Sequence, residues 1–254
     1  MACCTISYSS KVGTWTAAEA SVLLPDRAES KEPFPVLYLL NDTNDNHTSI
    51  GRKTRLEWYA KDLPLVIVLP DGERGYYTDI TSGHAYEQLI IQDLMGFIEK
   101  FFPVRRERAG RAIGGFGMGG YGALKLALKY PDLFGSVTAH GSACNLGHSV
   151  GQDADNTWKA EYLRIFGPNS KGGDNDIFAL ARRFGDAEWP GIRFDCGLDD
   201  LALEENRAFH SHLDRLGVEH EYLELPGSHD WDYCDARLPE LLQFHWKTLG
   251  HQSP

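Results

Sequence analysis

The chain has 254 residues, of which 42% are hydrophobic and 24% charged. These are ordinary globular values, and they exclude a disordered chain, a collagen-like chain and a coiled coil. The formal net charge of −11 argues against a nucleic-acid partner and against adhesion to anionic membranes, because like charges repel.

Short apolar runs alternate with helical patterns along the chain. Strands are predicted at residues 16–24, 33–40, 63–70, 111–116, 133–140, 192–197 and 220–225. Helices are predicted at residues 86–102, 121–130, 158–166, 202–216 and 238–249. The alternation predicts one three-layer αβα domain over residues 1–254, with a mostly parallel central sheet. Residues 141–176 are polar and rich in glycine, and we expect them to form an insertion over the functional site.

The cysteines and the N-terminal residues bear on the cellular compartment. The five cysteines are an odd number without a CxxC pair, which favours free thiols over a disulfide framework or a zinc cluster. Residues 1–11 lack a basic segment followed by an apolar run, and no window reaches the ~18 apolar residues of a membrane helix. We therefore expect a soluble, cytoplasmic protein.

One glycine-rich segment, GFGMGGYG at residues 115–122, lies between a predicted strand and a predicted helix. The nucleophile elbow of hydrolases has the pattern G-x-S-x-G at such a junction. Gly115 and Gly119 meet this pattern, but Gly117 stands where the serine belongs. The segment also satisfies the dinucleotide-binding pattern G-x-G-x-x-G, and a plain glycine-rich turn is a third interpretation. The dinucleotide pattern normally follows the first strand of its unit, whereas this segment follows several strands.

A hydrolase elbow predicts an acid and then a histidine further along the chain, each after a strand. Asp199 and Asp200 follow the predicted strand at 192–197, and His229 follows the strand at 220–225. We expect these groups to gather near residue 117, because catalytic groups of open α/β sheets lie at the carboxyl ends of the strands. In such a triad the histidine takes a proton from the nucleophile, and the carboxylate fixes the tautomer of the histidine.

Several stretches, in the same order, resemble the family that includes S-formylglutathione hydrolase (esterase D), tributyrin, feruloyl and acetylxylan esterases and the antigen 85 mycolyltransferases. The bacterial tributyrin-esterase branch is the most similar. The matching stretches are residues 36–40, 46–48, 77–79, 114–134, 196–200 and 227–231. The resemblance implies the α/β-hydrolase fold and ester hydrolysis through an acyl-enzyme, with no metal and no cofactor.

The same resemblance implies the roles of individual residues. Asp200 is the expected triad acid, His229 the general base, and position 117 the site of the nucleophile. The backbone N–H groups of Thr43 and Met118 are expected to form the oxyanion hole. The residues expected to bind substrate are Asn41, Asp42, Tyr77, Asp79 and Trp231. The expected partner is a small ester with a short acyl or aryl group, feruloyl and sugar esters included, and assembly into a homo-oligomer is left open.

Two departures from the family pattern affect the functional prediction. Gly117 has no side chain, so covalent acyl transfer at this position is excluded. Asn41-Asp42 replaces the usual His-Gly, and Asp42 would bring a negative charge near the developing oxyanion. We predict a serine-type carboxylic ester hydrolase in a nearly inactive form, through either an engineered knockout or natural loss. The alternatives are a ligand-binding pseudoenzyme and an acyltransferase.

Weaker signals have simpler interpretations. His210 and His212 are two positions apart on a predicted helix and do not share a face, so a solvated helix is favoured over a metal site. Ser142 and Cys144 follow a strand and are candidates for a replacement nucleophile. Small residues in a loop are the preferred interpretation of both.

Overall fold

A computed structural model describes residues 1–12, 17–26, 33–80, 83–148 and 156–250, with residues 156–158 described by their backbone alone. Within these residues eight strands form one sheet, in the order β1-β2-β4-β3-β5-β6-β7-β8. Strands β1 and β2 run antiparallel to their neighbours, and the pairs from β4 to β8 are parallel. The strands are β1 (Ala2–Ser9), β2 (Ala17–Leu24), β3 (Val36–Leu40), β4 (Val66–Pro70), β5 (Arg111–Phe116), β6 (Ser136–His140), β7 (Gly191–Gly197) and β8 (Glu221–Leu225).

Helices cover both faces of the sheet. They are α1 (Ser49–Lys53), α2 (Leu56–Ala60), α3 (Tyr86–Gln88), α4 (Met95–Phe101), α5 (Met118–Lys129), α6 (Asn156–Phe166), α7 (Ile177–Arg182), α8 (Leu203–Leu216) and α9 (Trp231–Thr248). A π-helical segment, Leu89–Leu94, joins α3 to α4, and a 3₁₀ turn, Arg108–Gly110, precedes β5. No described helix has the length and apolar character needed to cross a lipid bilayer.

The two faces of the sheet carry separate hydrophobic cores, because successive side chains of a strand point to opposite sides. On β3, Tyr38 belongs to the core that also contains Leu124 of α5 and Phe209 of α8. Leu37 and Leu39 belong to the core on the other face, together with side chains of α2 and α9. All residues of β3, β4, β5 and β6 are buried, and β3 and β4 have the continuous apolar sequences typical of strands covered on both faces.

The predicted mostly parallel sheet is confirmed, and the predicted strand at 111–116 has the observed bounds. The predicted start of the last helix at residue 238 is wrong. Helix α9 begins at Trp231, where Asp230 caps it by accepting a hydrogen bond from the Tyr233 N–H. Pro239, a residue type normally confined to a first helical turn, lies inside this helix. Strand β1 and helices α1, α2 and α7 were not predicted; β1 is an edge strand whose side chains are mostly exposed.

The parallel arrangement brings four loops to one edge of the sheet. Asp42 follows β3, Gly117 follows β5, Asp200 follows β7 and His229 follows β8. Because β3 and β5 are adjacent, the loops that carry Asp42 and Gly117 lie side by side. This edge is where ligands bind in open α/β sheets.

Candidate active site

The turn from β5 into α5 has the tight backbone of a nucleophile elbow. Gly117 has φ +53° and ψ −113°, a conformation that side chains rarely adopt, and it immediately precedes α5. A Cβ atom at Gly115 would overlap the Gly119 backbone, and one at Gly119 would overlap the Leu40 carbonyl oxygen. The two flanking glycines of the motif are therefore required by close backbone packing.

The Asp42 carboxylate occupies the space beside Gly117. A Cβ atom built on Gly117 would overlap the Cγ, Oδ1 and Oδ2 atoms of Asp42. The Asp42 Oδ1 atom accepts a hydrogen bond of 2.7 Å from the Met118 N–H. This is one of the two N–H groups expected to form the oxyanion hole, so the carboxylate fills both the nucleophile space and part of that hole.

His229 lies between two carboxylates. Its Nδ1 atom is 2.9 Å from Asp200 Oδ2, and its Nε2 atom is 2.9 Å from Asp42 Oδ2. Carboxylates only accept hydrogen bonds, so both bonds form when both ring nitrogens carry a proton. The bonds to Asp200 and then to Asp42 raise the pKa of His229 to about 10, against the opposing effect of burial. At neutral pH the ring is an imidazolium.

The loops that carry Asp200 and His229 are fixed to each other. The buried Asp200 side chain also accepts a 2.8 Å hydrogen bond at Oδ1 from the Ala202 N–H. The Asp199 N–H donates to the Gly227 carbonyl oxygen at 3.0 Å, which joins the loop after β7 to the loop after β8. The structure therefore brings the predicted acid and histidine together. The carboxylate that faces His229 belongs to Asp200, and not to Asp199.

The buried Asn41 side chain holds the loop that carries Asp42. Its amide nitrogen donates to the carbonyl oxygens of Asp42 and Asp45 at 2.9 and 3.0 Å. Its amide oxygen accepts from the Gly72 N–H at 3.2 Å and from the Tyr77 hydroxyl at 2.9 Å. Asn41 and Tyr77 were expected to bind substrate; in the structure both are buried, and their contacts support the loop that presents Asp42.

The other residues expected to bind substrate lie in different places. Asp79 accepts hydrogen bonds from the N–H groups of Glu87 and Gln88 at 3.0 and 3.1 Å, at the start of α3. Trp231 lines the cleft beside His229, with the Lys53 ammonium 4.6 Å from the centre of its ring. Thr43, the other expected oxyanion residue, lies along the cleft next to Asp42.

The cleft consists of two chambers that meet at Asp42, Gly117, Asp200 and His229. The first chamber has a volume of about 410 Å³ and includes Phe116, Trp231, Tyr233 and Cys234 in its wall. The second has a volume of about 340 Å³ and includes Tyr76, Met118, Ala143, Tyr162 and Leu201. Tyr162 belongs to α6, within the range 141–176 that was expected to form an insertion; residues 149–155 of that range lie outside the described residues.

Negative charge dominates the first chamber. Four carboxylates line it, against two cationic groups, Lys53 and the His229 imidazolium. The carboxylates are those of Asp42, Asp45, Asp200 and Asp230. Lys53 is paired with Asp45 at 2.8 Å. This chamber therefore favours neutral or cationic ligands over anions.

A buried polar cluster that no sequence motif indicated, formed by His140, Asp195 and Tyr233, borders the first chamber. The His140 Nδ1 atom is 2.7 Å from Asp195 Oδ2, and the Tyr233 hydroxyl donates to Asp195 Oδ1 at 2.5 Å. Burial opposes ionisation of Asp195, but His140 and Tyr233 outweigh it and lower the pKa of this carboxyl. The signal in the sequence was an aspartate inside the buried strand at 192–197, since buried charges need partners.

The weaker candidates have structural contacts. His212 is bonded through Nε2 to the Phe178 carbonyl oxygen at 2.9 Å. His210 instead lies beside Asp214 and His220, with its Nδ1 atom 2.8 Å from His220 Nε2. Ser142 and Cys144 are fully buried, and burial raises the pKa of the Cys144 thiol well above its usual range. A buried neutral thiol does not act as a nucleophile.

An elbow, an acid and a histidine at the carboxyl edge of this sheet define a protein of the α/β-hydrolase fold. A family model described as "Putative esterase" matches residues 15–245, and the chain belongs to this esterase family. The predicted family and fold are both confirmed.

Individual relatives agree with this assignment. An acetyl esterase of Caldicellulosiruptor saccharolyticus is 30% identical over 264 aligned residues, which cover 98% of each protein. The substrate-bound structure of FphF, a fluorophosphonate-binding serine hydrolase of Staphylococcus aureus, has a TM-score of 0.85 and 25% identity, covering 96% of this chain and 98% of that chain. A ferulic acid esterase structure has a TM-score of 0.81 and 25% identity, covering 98% of both chains.

Proposed function

We propose that this protein has the cleft of a carboxylic ester hydrolase in which the serine acyl-enzyme route is closed. The cleft still binds small esters with short acyl or aryl groups. The observation that carries this proposal is the position of the Asp42 carboxylate, which overlaps the space of a side chain at residue 117 and holds the Met118 N–H. The names of the relatives, an acetyl esterase and a ferulic acid esterase, support the substrate class.

The two departures from the family pattern are complementary in space. A serine at position 117 would overlap Asp42, and a glycine at position 42 would leave the space beside Gly117 empty. A single engineered knockout at position 117 does not explain the aspartate at position 42. The pair therefore favours natural replacement of the serine over a knockout made to trap a ligand.

Asp42 also opposes the transition state of serine catalysis. An oxyanion hole needs free N–H groups aimed at the developing negative charge, and loss of one such donor costs about 10²–10³ in turnover. In this protein the Met118 N–H is already bonded to a carboxylate, whose own charge repels an oxyanion. This favours a second candidate function, a ligand-binding pseudoenzyme.

The test is restoration of the serine route by two substitutions. We would assay p-nitrophenyl acetate hydrolysis by the unchanged protein, Gly117→Ser, Asp42→Gly and the double variant. We expect only the double variant to be an active esterase, at least ~10³-fold above the unchanged protein, within the ~10⁶-fold span of a nucleophile knockout. Gly117→Ser alone should stay low, because Asp42 competes with the serine for the same space.

The matched control is Asp42→Gly with Gly117→Ala, which opens the same space without a hydroxyl. It should be inert, and a fluorophosphonate reagent should label the Ser double variant only. A double variant that folds but has no esterase activity would contradict the proposal and would favour a ligand-binding pseudoenzyme. Added alcohol acceptors would separate ester hydrolysis from acyl transfer in the active variant.

A further inference from the structure

We propose that His210, Asp214 and His220 bind a Zn²⁺ ion, which joins the last turns of α8 to the turn before β8. This inference goes beyond the proposed function and does not depend on it. The ester chemistry expected of the family needs no metal, and the side chains of His210 and Asp214 line neither chamber of the cleft.

The three side chains converge although they come from two parts of the chain. His210 and Asp214 are four positions apart on α8, so they share one face of the helix. His220 lies in the turn directly before β8. The His210 Nδ1 atom is 2.8 Å from His220 Nε2, and the Asp214 Oδ1 atom is 4.0 Å from the same nitrogen. One possible ligand atom of each residue lies within 4.8 Å of those of the other two.

The turn between α8 and β8 is held by backbone hydrogen bonds. Gly217 has φ +69°, and its N–H donates to the Asp214 carbonyl oxygen at 3.0 Å. The Val218 N–H donates to the Leu213 carbonyl oxygen at 3.1 Å. This pair of bonds is the Schellman motif, which ends a helix and satisfies its last carbonyl groups. The motif turns the chain back, so that His220 lies beside the last turns of α8.

A hydrogen bond on the far side of the His220 ring prepares Nε2 to bind a metal. The Nδ1 atom lies 2.8 Å from the Val218 carbonyl oxygen, which can only accept, so Nδ1 carries the proton. In the neutral ring Nε2 then has the lone pair, and it faces His210 and Asp214. Histidines that bind metals usually donate their other N–H to an oxygen in this way. The His220 side chain is only 3% exposed, so packing holds the ring in this orientation.

Aromatic neighbours hold both imidazole rings. His220 stacks on Phe194, with 5.6 Å between the ring centres and 14° between the planes. His210 stacks on Tyr222, with 4.6 Å between the ring centres and 25° between the planes. Rings that are already held in place lose little rotamer freedom when an ion binds, and this favours affinity.

The ligand set fits zinc better than calcium or magnesium. Zn²⁺ takes imidazole nitrogens and carboxylate oxygens in a tetrahedral site, whereas Ca²⁺ and Mg²⁺ prefer oxygen ligands. Two nitrogens at zinc bond lengths lie about 3.3 Å apart in a tetrahedron, so the two rings must separate by about 0.5 Å. His210, whose side chain is 36% exposed, has room for this movement. The ion replaces the proton between the two ring nitrogens, which is released to solvent.

The site is remote from the cleft, so its effect is on stability. His220 precedes β8 and His229 follows it, and the five residues of this strand span about 17 Å. An ion at this distance takes no part in chemistry at His229. An ion that binds the folded protein and not the unfolded chain raises the free energy of unfolding.

The first test is calorimetric titration of the metal-free protein with Zn²⁺. His210→Gln and Asp214→Asn each remove one ligand, and we expect each to weaken a site of one ion per chain by at least ~10-fold, since loss of even an outer-shell partner costs 10–100-fold. His84→Gln removes an exposed histidine outside the cluster and should leave the affinity unchanged. Equal affinity in all four proteins, or no binding, would overturn the inference.

Cobalt identifies the ligands. Co²⁺ bound by nitrogen and oxygen gives visible d–d bands without the charge-transfer band that thiolate ligands produce. We expect the d–d bands in the unchanged protein and in His84→Gln, and their loss in His210→Gln. A thiolate band in their place would assign the ion to cysteines such as the exposed Cys3, and would overturn the inference.

Thermal unfolding measures the consequence for the fold. Zn²⁺ at about 100 times its Kd should raise the Tm of the unchanged protein by about 5–10 °C. The same rise is expected for His84→Gln, and none for the double variant His210→Gln with Asp214→Asn. An equal rise in that double variant would show that the ion binds elsewhere, and would contradict the assignment of the site.

Discussion

The carboxylate of Asp42 lies in the space that a side chain at Gly117 would fill. The two residues are distant in sequence and meet because β3 and β5 are neighbours in the sheet. The two departures from the family pattern, Gly117 in place of serine and Asp42 in place of glycine, are therefore parts of one structural change. It also places a charged group between the Met118 N–H and His229, where a serine hydroxyl would otherwise stand.

The first prediction concerns stability. Gly117→Ser alone should lower the free energy of unfolding by about 2–3 kcal/mol, through backbone strain at φ +53° and overlap with Asp42. In the double variant with Asp42→Gly the overlap is absent, so the loss from serine should be smaller by about 1–2 kcal/mol. Urea unfolding of all four proteins measures this coupling. If the losses of the two single variants simply add up to the loss of the double variant, the claim that Asp42 and the residue 117 side chain compete for one space is contradicted.

The second prediction concerns the protonation of His229. Its pKa should be about 10 in the unchanged protein, and Asp42→Asn should lower it, because one of the two carboxylate partners is lost. An NMR titration of the ring nitrogens measures both values. Asp186→Asn serves as the control and should leave this pKa unchanged. A pKa near the ordinary value in the unchanged protein would contradict the bond between His229 and Asp42.

The third prediction is the matching pH dependence of stability. The pKa of His229 is raised in the folded state, so its stabilising effect is full below about pH 6.5 and is lost as pH rises through about 10. The difference in unfolding free energy between the unchanged protein and His229→Gln should therefore shrink over that interval. Urea midpoints of the two proteins across the interval measure it. If this difference in unfolding free energy grows as the pH rises, the pKa of His229 is not raised in the folded protein.

The fourth prediction concerns the ion pair that anchors residues 77 and 78. Lys125 is fully buried and bonds Glu87 at 2.9 Å and Thr78 Oγ1 at 3.0 Å. Burial opposes ionisation of Glu87, but Lys125 and Lys129 hold its pKa at about 2. Lys125→Met should cost about 3–5 kcal/mol, because it leaves a buried carboxylate without its main partner. Lys129→Met, at a partly exposed site, should cost less than ~1 kcal/mol in the same unfolding assay.

The fifth prediction concerns the rim of the cleft. Leu201 is 100% exposed beside Asp200, and it lines the second chamber. In the esterase-active double variant, Leu201→Ser should raise the KM for p-nitrophenyl butyrate about threefold, as expected for loss of roughly one buried methylene. Leu216→Ser, at the C-terminal end of α8 and outside the second chamber, should not change this KM. If Leu201→Ser and Leu216→Ser change the KM equally, Leu201 does not contact the substrate.

Local patterns were sufficient to predict most of the sheet and to indicate that Gly117, Asp200 and His229 lie together at one edge of it. Strands β3 and β4 have continuous apolar sequences, and the elbow, Asp200 and His229 each follow a strand in a fixed order. The edge strand β1 was missed because its side chains are mostly exposed and its sequence carries little apolar pattern. Helix α9 begins at Trp231, seven residues before the predicted helix at 238–249.

The position of the Asp42 carboxylate was not predictable from the sequence alone. It was expected near the oxyanion, but its bond to the Met118 N–H depends on the loop that Asn41 and Tyr77 hold, through contacts between residues far apart in the chain. The same reason explains why Asn41 and Tyr77 were assigned to substrate binding. Sequence motifs identify which residues lie near a site, and packing decides which of them face the ligand.

The most direct test of this account is a crystal structure of the free, unchanged protein near neutral pH. We predict that Asp42 Oδ1 lies within hydrogen-bonding distance of the Met118 nitrogen and that Oδ2 lies within the same reach of His229 Nε2. An Asp42 side chain turned out to solvent, with water bound at the Met118 N–H and beside Gly117, would contradict the account.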